Sequence, residues 1–436
     1  MEPDGASLRS LPPKGAGPAL GRPGGRPALP ELGMSWLDLE QRLKKAGEHD
    51  VDWRGGRAPA FIHFAGDDVL EVAKRAYVMY FSENGLGQRA FGSLAKFESE
   101  VVAMGLSLLG AGSDAKGAMT TGGTESIFLA VKAARDRAVA ERRIEGKSRI
   151  VLAFSAHPAF DKAAHFLGLE IVRTPLRADF TADPDAIAAA ITPSTVMVVA
   201  SAPAYPHGVM DPISAIAAVA AARGVWMHVD ACVGGYLAPF AQRLGAPIEA
   251  FDFSVPGVTS ISADLHKYGY AAKGASTLFF ADAASFAHMA WAFDDWPRGQ
   301  YMTNTLVGTR AGGAIAAAWA VMNYLGEAGY LRVTERVLAT RRAYEAGVNA
   351  LGFETLGRPE LSILAFGSQA HDIAAVGKAM NARGWLTGFV REPAGIHLML
   401  NLTHEPVAER YFSDLAAAVE EAECSGTRGE AVKAVY

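Results

Sequence analysis

Thiols are scarce in this chain. Cys232 and Cys424 are the only cysteines among 436 residues. Two are too few for a disulfide framework and fit a reducing compartment, so a cytoplasmic location is expected. Long apolar runs are missing too. The best candidates, 213–222 and 311–325, are rich in alanine and glycine and fall short of the ~20 residues that a membrane-spanning helix needs. Neither sign of charge dominates. A net charge of −5 makes no electrostatic case for nucleic acid, and no metal site is expected. What is present is a globular composition with a substantial core, 50% hydrophobic and 20% charged. The length allows about three domain-sized units. No internal repeat is visible.

Organisation follows from composition shifts. Residues 1–33 are dense in Gly, Pro and Arg and are expected to be a disordered tail without the apolar core of a secretory signal. A helical segment is expected over 34–97, with Leu70, Ala73, Tyr77 and 79–81 as apolar faces. From 98 to 329, strands alternate with alanine-rich helices, which predicts an α/β fold with a mostly parallel sheet. The strands expected there are 150–154, 171–174, 195–201, 225–230, 258–262 and 277–280. Residues 330–436 read as a smaller C-terminal α+β domain with strands at 361–366 and 396–401.

Lys267 is the most informative residue. It follows the β-branched run 258–261 on the loop at the carboxyl end of a strand, where open α/β sheets collect ligands and catalytic groups. Flanked by His266 and Tyr268 rather than by other charges, it suits a desolvated amine that loses its proton and attacks a carbonyl. Taken alone, it is equally a lysine covering a sheet edge. Asp230 ends the apolar strand 225–230 and is followed by Ala-Cys-Val-Gly-Gly, which leaves room for a flat ligand. A lysine for an aldehyde and an acid for a pyridinium nitrogen are what pyridoxal phosphate requires. A turn or cap role for Asp230 is the alternative. Thr120-Thr-Gly-Gly-Thr-Glu-Ser126 leads into a helix with apolar positions Ile127, Val131, Ala134 and Ala138. Gly122 and Gly123 let amides approach an anion at the helix start, and Thr124 is expected to cap that helix. The run has neither the Walker lysine nor the Rossmann glycine spacing. His157 follows strand 150–154 and is placed to stack on a cofactor ring, with a cap or a satisfied core histidine as the alternative.

Together these segments resemble a known family. Thr121-Gly-Gly-Thr-Glu-Ser-Ile127, the His157 segment, Pro206-His-Gly-Val-Met-Asp-Pro212, His228-Val-Asp-Ala-Cys-Val-Gly-Gly235 and Ser260-Ile-Ser-Ala-Asp-Leu-His-Lys-Tyr-Gly-Tyr270 are similar to sphingosine-1-phosphate lyases, in the group II decarboxylase branch of fold-type I pyridoxal-phosphate enzymes. The similarity runs on through Lys273-Gly274, Tyr301 and Gly308-Thr-Arg-Ala-Gly312, back to Asp52-Trp53 and forward to Gly384-Trp385. The resemblance implies pyridoxal 5'-phosphate as cofactor and a homodimer with shared active sites. Lys267 would carry the cofactor as a Schiff base, Asp230 would pair with the ring nitrogen and His157 would stack on the ring. Gly122, Gly123, Thr124 and His266 would hold the phosphate. Lys273, Tyr301 and Arg310 would face the substrate, and Thr309 would reach in from the partner subunit. Eukaryotic members carry an N-terminal membrane anchor, which is not expected here.

The sequence departs from the family in the substrate region. His63 stands where the family has Tyr, Gly87 replaces the His of an Asn-x-Leu-His pattern, and Gly308-Thr-Arg-Ala-Gly312 replaces Gly-Ser-Arg-Pro-Gly. Gly87 is expected to open volume, and His63 to supply the lost imidazole. The implied activity is retro-aldol cleavage of a phosphorylated long-chain amino alcohol. The alternative is a decarboxylase acting on an amino acid with the same cofactor residues, and a scaffold that only binds is a third reading.

Overall fold

A computed structural model describes residue 26 and residues 29–87, 89–141 and 146–425. The tail expected over 1–33 falls mostly outside these residues. The described chain divides into two compact units between Asp52 and Trp53. In the first, helix Trp36–Ala46 starts at Ser35, whose hydroxyl accepts from the Asp38 amide at 3.2 Å. Asp38 near its start and Lys44 and Lys45 near its end match the helix dipole.

The second unit is built on a seven-stranded sheet. Its strands are β1 (Lys116–Thr120), β2 (Arg149–Ala153), β3 (Glu170–Thr174), β4 (Thr195–Ser201), β5 (Trp226–Asp230), β6 (Val258–Ala263) and β7 (Ser276–Phe280), in the order β1-β7-β6-β5-β4-β2-β3. From β6 to β3 every pairing is parallel, while β7 is antiparallel to both its neighbours. The α/β class and the mostly parallel sheet are therefore as expected, with strand ends shifted by a residue or so. Alternate side chains of the inner strands enter two different apolar clusters. Val198, Ala200, Met227 and Val229 pack with helices Ile213–Ala222 and Gly312–Ala350, whereas Val199, Ile150 and Leu152 pack with Gly123–Ala140 and Ala159–Leu167. A sheet covered on both faces explains why these strands read as unbroken apolar runs. The exception, His228, lies fully buried between Ser260 Oγ at 2.8 Å and Ser262 Oγ at 3.2 Å.

Five strands were not foreseen: β1, the exposed hairpin β8 (Trp291–Phe293) with β9 (Tyr301–Thr303), and two members of the C-terminal sheet. That sheet has the order β10-β11-β13-β12, from β10 (Glu354–Thr355), β11 (Ile363–Gly367), β12 (Gly388–Arg391) and β13 (Ala394–Met399). It packs with helices Ile373–Ala382 and Ala408–Ser425 on its own apolar cluster. The division expected at 97/98 falls inside helix Gly92–Leu108. The one expected at 329/330 falls inside the long helix Gly312–Ala350, which breaks at Gly326, where φ is 54°. After the break, Tyr330 to Leu338 still pack in the large-sheet cluster, and Tyr344 and Val348 pack in the C-terminal one.

Candidate active site

The sheet brings the chemistry-bearing residues to one edge. Asp230 is the last residue of β5, paired in register with Ser201 of β4 and Ser262 of β6. Lys267 follows β6 by four residues, His157 follows β2 by four, and the Thr121–Thr124 turn follows β1. Parallel strands that end together make this edge the place where loop residues converge. Gly122, Gly123, Thr124, His157, Asp230, His266 and Lys267 all line one cavity of about 360 Å³. Sequence reasoning named all seven.

Asp230 is buried, and its Oδ1 accepts from the Cys232 amide at 3.1 Å and Ser262 Oγ at 3.4 Å. His157 accepts from the Ala159 amide at Nδ1, 3.1 Å. Burial lowers its pKa despite the nearby Asp230 carboxylate, so the ring is neutral at pH 7. Burial likewise lowers His266, whose Nδ1 is buried with no hydrogen-bond partner.

The expectation for Lys267 needs correcting. Burial alone would release its proton, but Asp264 Oδ2 lies 2.9 Å from Nζ and reverses the balance, holding the ammonium above the ordinary lysine range. Asp264 itself is buried. Its ionised form is kept by the Lys267 and His266 charges and by a 2.5 Å bond from Ser276 Oγ, which together outweigh burial. Asp264 stands in the quoted Lys267 motif, yet it was given no role from sequence. Tyr205, in Ala204-Tyr-Pro206, was also missed and lines the cavity. Cys232 lines it as a neutral thiol, pushed up by burial.

The expected substrate group does not line this cavity. Lys273 Nζ donates to the Phe61 and His266 carbonyls at 3.1 and 3.3 Å. Its surroundings and then the Lys267 charge lower its pKa, although the side chain keeps solvent access. His63 packs edge-on against Tyr268, with ring centroids 4.8 Å apart, and its Nε2 is 3.0 Å from Met399 Sδ. Tyr301 lies on the exposed hairpin near Trp291 and Trp296, and Thr309 is exposed. Arg310 is a correction. Its guanidinium is buried against Glu98, with Nη1–Oε1 2.5 Å and Nη2–Oε2 2.9 Å, so its charge is committed within the fold and is not offered to a substrate phosphate. Gly87 is another. The Phe91 ring already lies 3.3 Å from where a Cβ would stand, so Gly87 opens no room in this chain. Nor does Thr124 cap its helix, which begins at Gly123 with no side-chain cap.

The cavity residues fit pyridoxal phosphate. A Cβ on Gly123 would come within 2.8 Å of both Asp264 Oδ2 and Cys232 Sγ, so glycine alone leaves the amide-lined turn open at the helix start. The orphaned His266 Nδ1, the buried acid and the lysine supply the remaining donor set. Comparisons with known proteins agree. The pyridoxal-dependent decarboxylase conserved domain matches residues 93–367. Sphingosine-1-phosphate lyase of Arabidopsis thaliana is 38% identical over 401 residues, covering 90% of this chain and 73% of that protein. Sphingosine-1-phosphate lyase 1 of Rattus norvegicus is 40% identical over 395 residues, 90% of this chain and 69% of that one. The solved sphingosine-1-phosphate lyase of Burkholderia pseudomallei superposes with a TM-score of 0.88 at 39% identity, covering 92% of this chain and 94% of the other. Cavity, cofactor residues and relatives converge, and the chain belongs to the pyridoxal-dependent decarboxylase family and, within it, to the sphingosine-1-phosphate lyases.

Proposed function

We propose that this protein cleaves the Cα–Cβ bond of a phosphorylated long-chain amino alcohol, giving a fatty aldehyde and phosphoethanolamine. The names and identities of its relatives support the reaction. The observation that carries the substrate class is a second cavity of about 480 Å³ that shares His157 and Tyr205 with the cofactor cavity. Phe61, Leu176, Leu386, Phe389 and Val390 give it an apolar wall suited to a hydrocarbon chain. A small amino acid bound for decarboxylation has no need of such a chamber.

Bound pyridoxal phosphate supplies an electron-poor ring that takes the electron pair left at Cα. The chain's own residues do the rest. Gly122, Gly123 and Thr124 present amides at a helix start, where the dipole favours the phosphate. Asp230 would hold the proton of the ring nitrogen, His157 would stand beside the ring, and Lys267 would be the amine for the aldehyde, with Asp264 as the neighbouring group that takes up its proton. His63 is the base for the substrate hydroxyl. Its Nε2 faces a thioether sulfur, which only accepts, so that nitrogen carries the hydrogen and Nδ1 keeps its lone pair without a partner. Lys273 is the cation for the substrate phosphate.

No helix among the described residues is long and apolar enough to cross a membrane, and both cysteines are free, which supports a cytoplasmic place of action. Exposed Leu86, Leu306 and Val307 beside Tyr301 and Thr309 support a homodimer whose partner completes each site. A product assay tests the function. Aldehyde with phosphoethanolamine is expected from a phosphorylated long-chain base, and carbon dioxide with amine from a plain amino acid would replace the lyase reading with the decarboxylase one.

A further inference from the structure

Two carboxylates that the chemistry does not use tie the phosphate turn to the segment bearing Tyr301 and Thr309. Glu125, buried in the first turn of helix Gly123–Ala140, faces both ways. Its Oε2 accepts from Thr121 N at 2.6 Å and Thr121 Oγ1 at 2.5 Å. Its Oε1 accepts from the amides of Leu306 at 2.9 Å and Val307 at 3.4 Å. Glu98, in helix Gly92–Leu108, repeats the arrangement two residues earlier in the turn. Its Oε1 accepts from the Met119 amide at 3.2 Å, both its oxygens hold Arg310, and Arg310 Nη1 donates back to the Met119 carbonyl at 3.1 Å. Residues 119–121 are thus gripped by 306–307 through one carboxylate and by Arg310 through the other.

The gripped segment is braced from within. Thr303 Oγ1 accepts from the Thr305 amide at 3.1 Å, and Thr305 Oγ1 donates to the Val307 carbonyl at 2.7 Å. A displacement at either anchor is therefore passed along the loop instead of being absorbed in it. With its amide and hydroxyl both given to Glu125, Thr121 has no donor left for the phosphate, and the turn offers the anion Gly122, Gly123 and Thr124. We propose that Glu125 and Glu98 are positioning residues that couple cofactor occupancy of the Thr121–Thr124 turn to the order of residues 301–310. Filling the phosphate site then fixes the segment that supplies Tyr301 and Thr309. The inference rests on the reading that this turn holds the cofactor phosphate. It also gives Arg310 a task, joining the segment to the turn.

Hydrogen exchange read by mass spectrometry, on cofactor-free and cofactor-loaded full-length protein at one concentration, tests this. In the wild type, pyridoxal phosphate should slow exchange over 121–127 and also over 301–310. In Glu125→Gln, the amide nitrogen of the glutamine faces backbone N–H groups on one side, so one arm of the grip is lost. The cofactor-dependent difference over 301–310 should then disappear while that over 121–127 remains. Arg310→Lys, which keeps the charge but not the two-pronged contact, should shrink the same difference. Protection over 121–127 with none over 301–310 in the wild type overturns the coupling, and so does a full cofactor-dependent difference at 301–310 in either variant. No response in either segment overturns the assignment of the phosphate turn itself, and the coupling with it.

Discussion

Asp264 Oδ2 lies 2.9 Å from Lys267 Nζ, an ion pair of a buried carboxylate and a half-buried amine closed within one turn at the carboxyl end of β6. The neighbouring carboxylate therefore holds Lys267 as an ammonium and opposes the loss of its proton. Asp264→Asn removes the largest influence that opposes burial, so the Lys267 pKa should fall. The rate at which cofactor-free protein takes up pyridoxal phosphate, followed by absorbance against pH, should then reach its half-maximum at lower pH than in the wild type. An unchanged midpoint would show that Asp264 does not govern the amine. In both proteins borohydride should fix the cofactor to Lys267 and not to Lys273, as read by peptide mapping.

The role proposed for Asp230 is at the other end of the cofactor ring. Asp230→Asn keeps the size of the side chain and the contact with the Cys232 amide but cannot hold a proton on the pyridine nitrogen. Turnover should drop by about two to four orders of magnitude, the range typical of a lost proton-handling group, with KM little changed. Cofactor absorbance should persist, since the phosphate turn and Lys267 are untouched. Near-normal turnover with cofactor bound would remove Asp230 from its role.

Stability should fall in mild acid. Burial pushes His207, His228, His397 and His404 each down to about 4. Between that value and the ordinary 6.5, the unfolded chain binds protons that the folded chain refuses, so each imidazole contributes stability that is lost as pH drops through this window. Asp211, raised to about 6, and Glu360, raised to about 7, work the opposite way, because burial makes the folded state hold their protons. Burial also lowers His63, His157 and His266, so the histidines outnumber the two acids and remain in control. The thermal midpoint should decline from pH 6.5 towards pH 4, and a flat or rising midpoint would mean that these imidazoles are solvated in the folded protein.

The strand-and-helix plan was legible because burial on both faces forces unbroken apolar runs such as Thr195–Ser201, and because Asp230 ends such a run while Lys267 and His157 sit just past one. β1 was not legible: Lys116-Gly-Ala-Met-Thr120 has no strong pattern and is a strand only because it pairs with Ser276–Phe280. Arg310 shows the limit most plainly. Its cationic character could be read, but its partner Glu98 lies 212 residues away, and no local pattern carries such a pairing. Gly87 failed for the same reason at shorter range, since the space it seemed to vacate belongs to Phe91.

His63 stands where the family has tyrosine, and the base role proposed for it makes a pH prediction. Burial, then the charges of Lys273 and Lys267, hold its pKa well below 6.5, so the ring is uncharged throughout the neutral range. The acid limb of kcat/KM against pH should therefore lie below 6.5. His63→Ala should cut cleavage of a phosphorylated long-chain base by about two to four orders of magnitude, in keeping with a lost general base, and abolish that limb. Unaltered cleavage in the variant would end the idea that His63 replaces the family's imidazole.

The last prediction concerns assembly. Tyr301 and Thr309 lie outside the cofactor cavity of their own chain, on a segment with exposed Met302, Leu306 and Val307. If that segment serves the neighbouring subunit, Lys267→Ala and Tyr301→Phe lie in different chains of the same active site. Each variant alone should be inactive or nearly so. Mixed in equal amounts, dissociated and reassembled, half of the dimers should pair one variant with the other, and each of these holds one site with both residues intact. About one quarter of wild-type activity should return, the fraction set by random pairing in a two-fold dimer. Tyr301→Phe leaves the ring contacts with Trp291 and Trp296 in place, so the hairpin should survive the change. Native mass spectrometry of tagged chains would establish that mixed dimers are present. Mixed dimers without recovered activity would mean that each site draws Tyr301 from its own chain, and would require the hairpin to fold back over the cavity that it leaves open here.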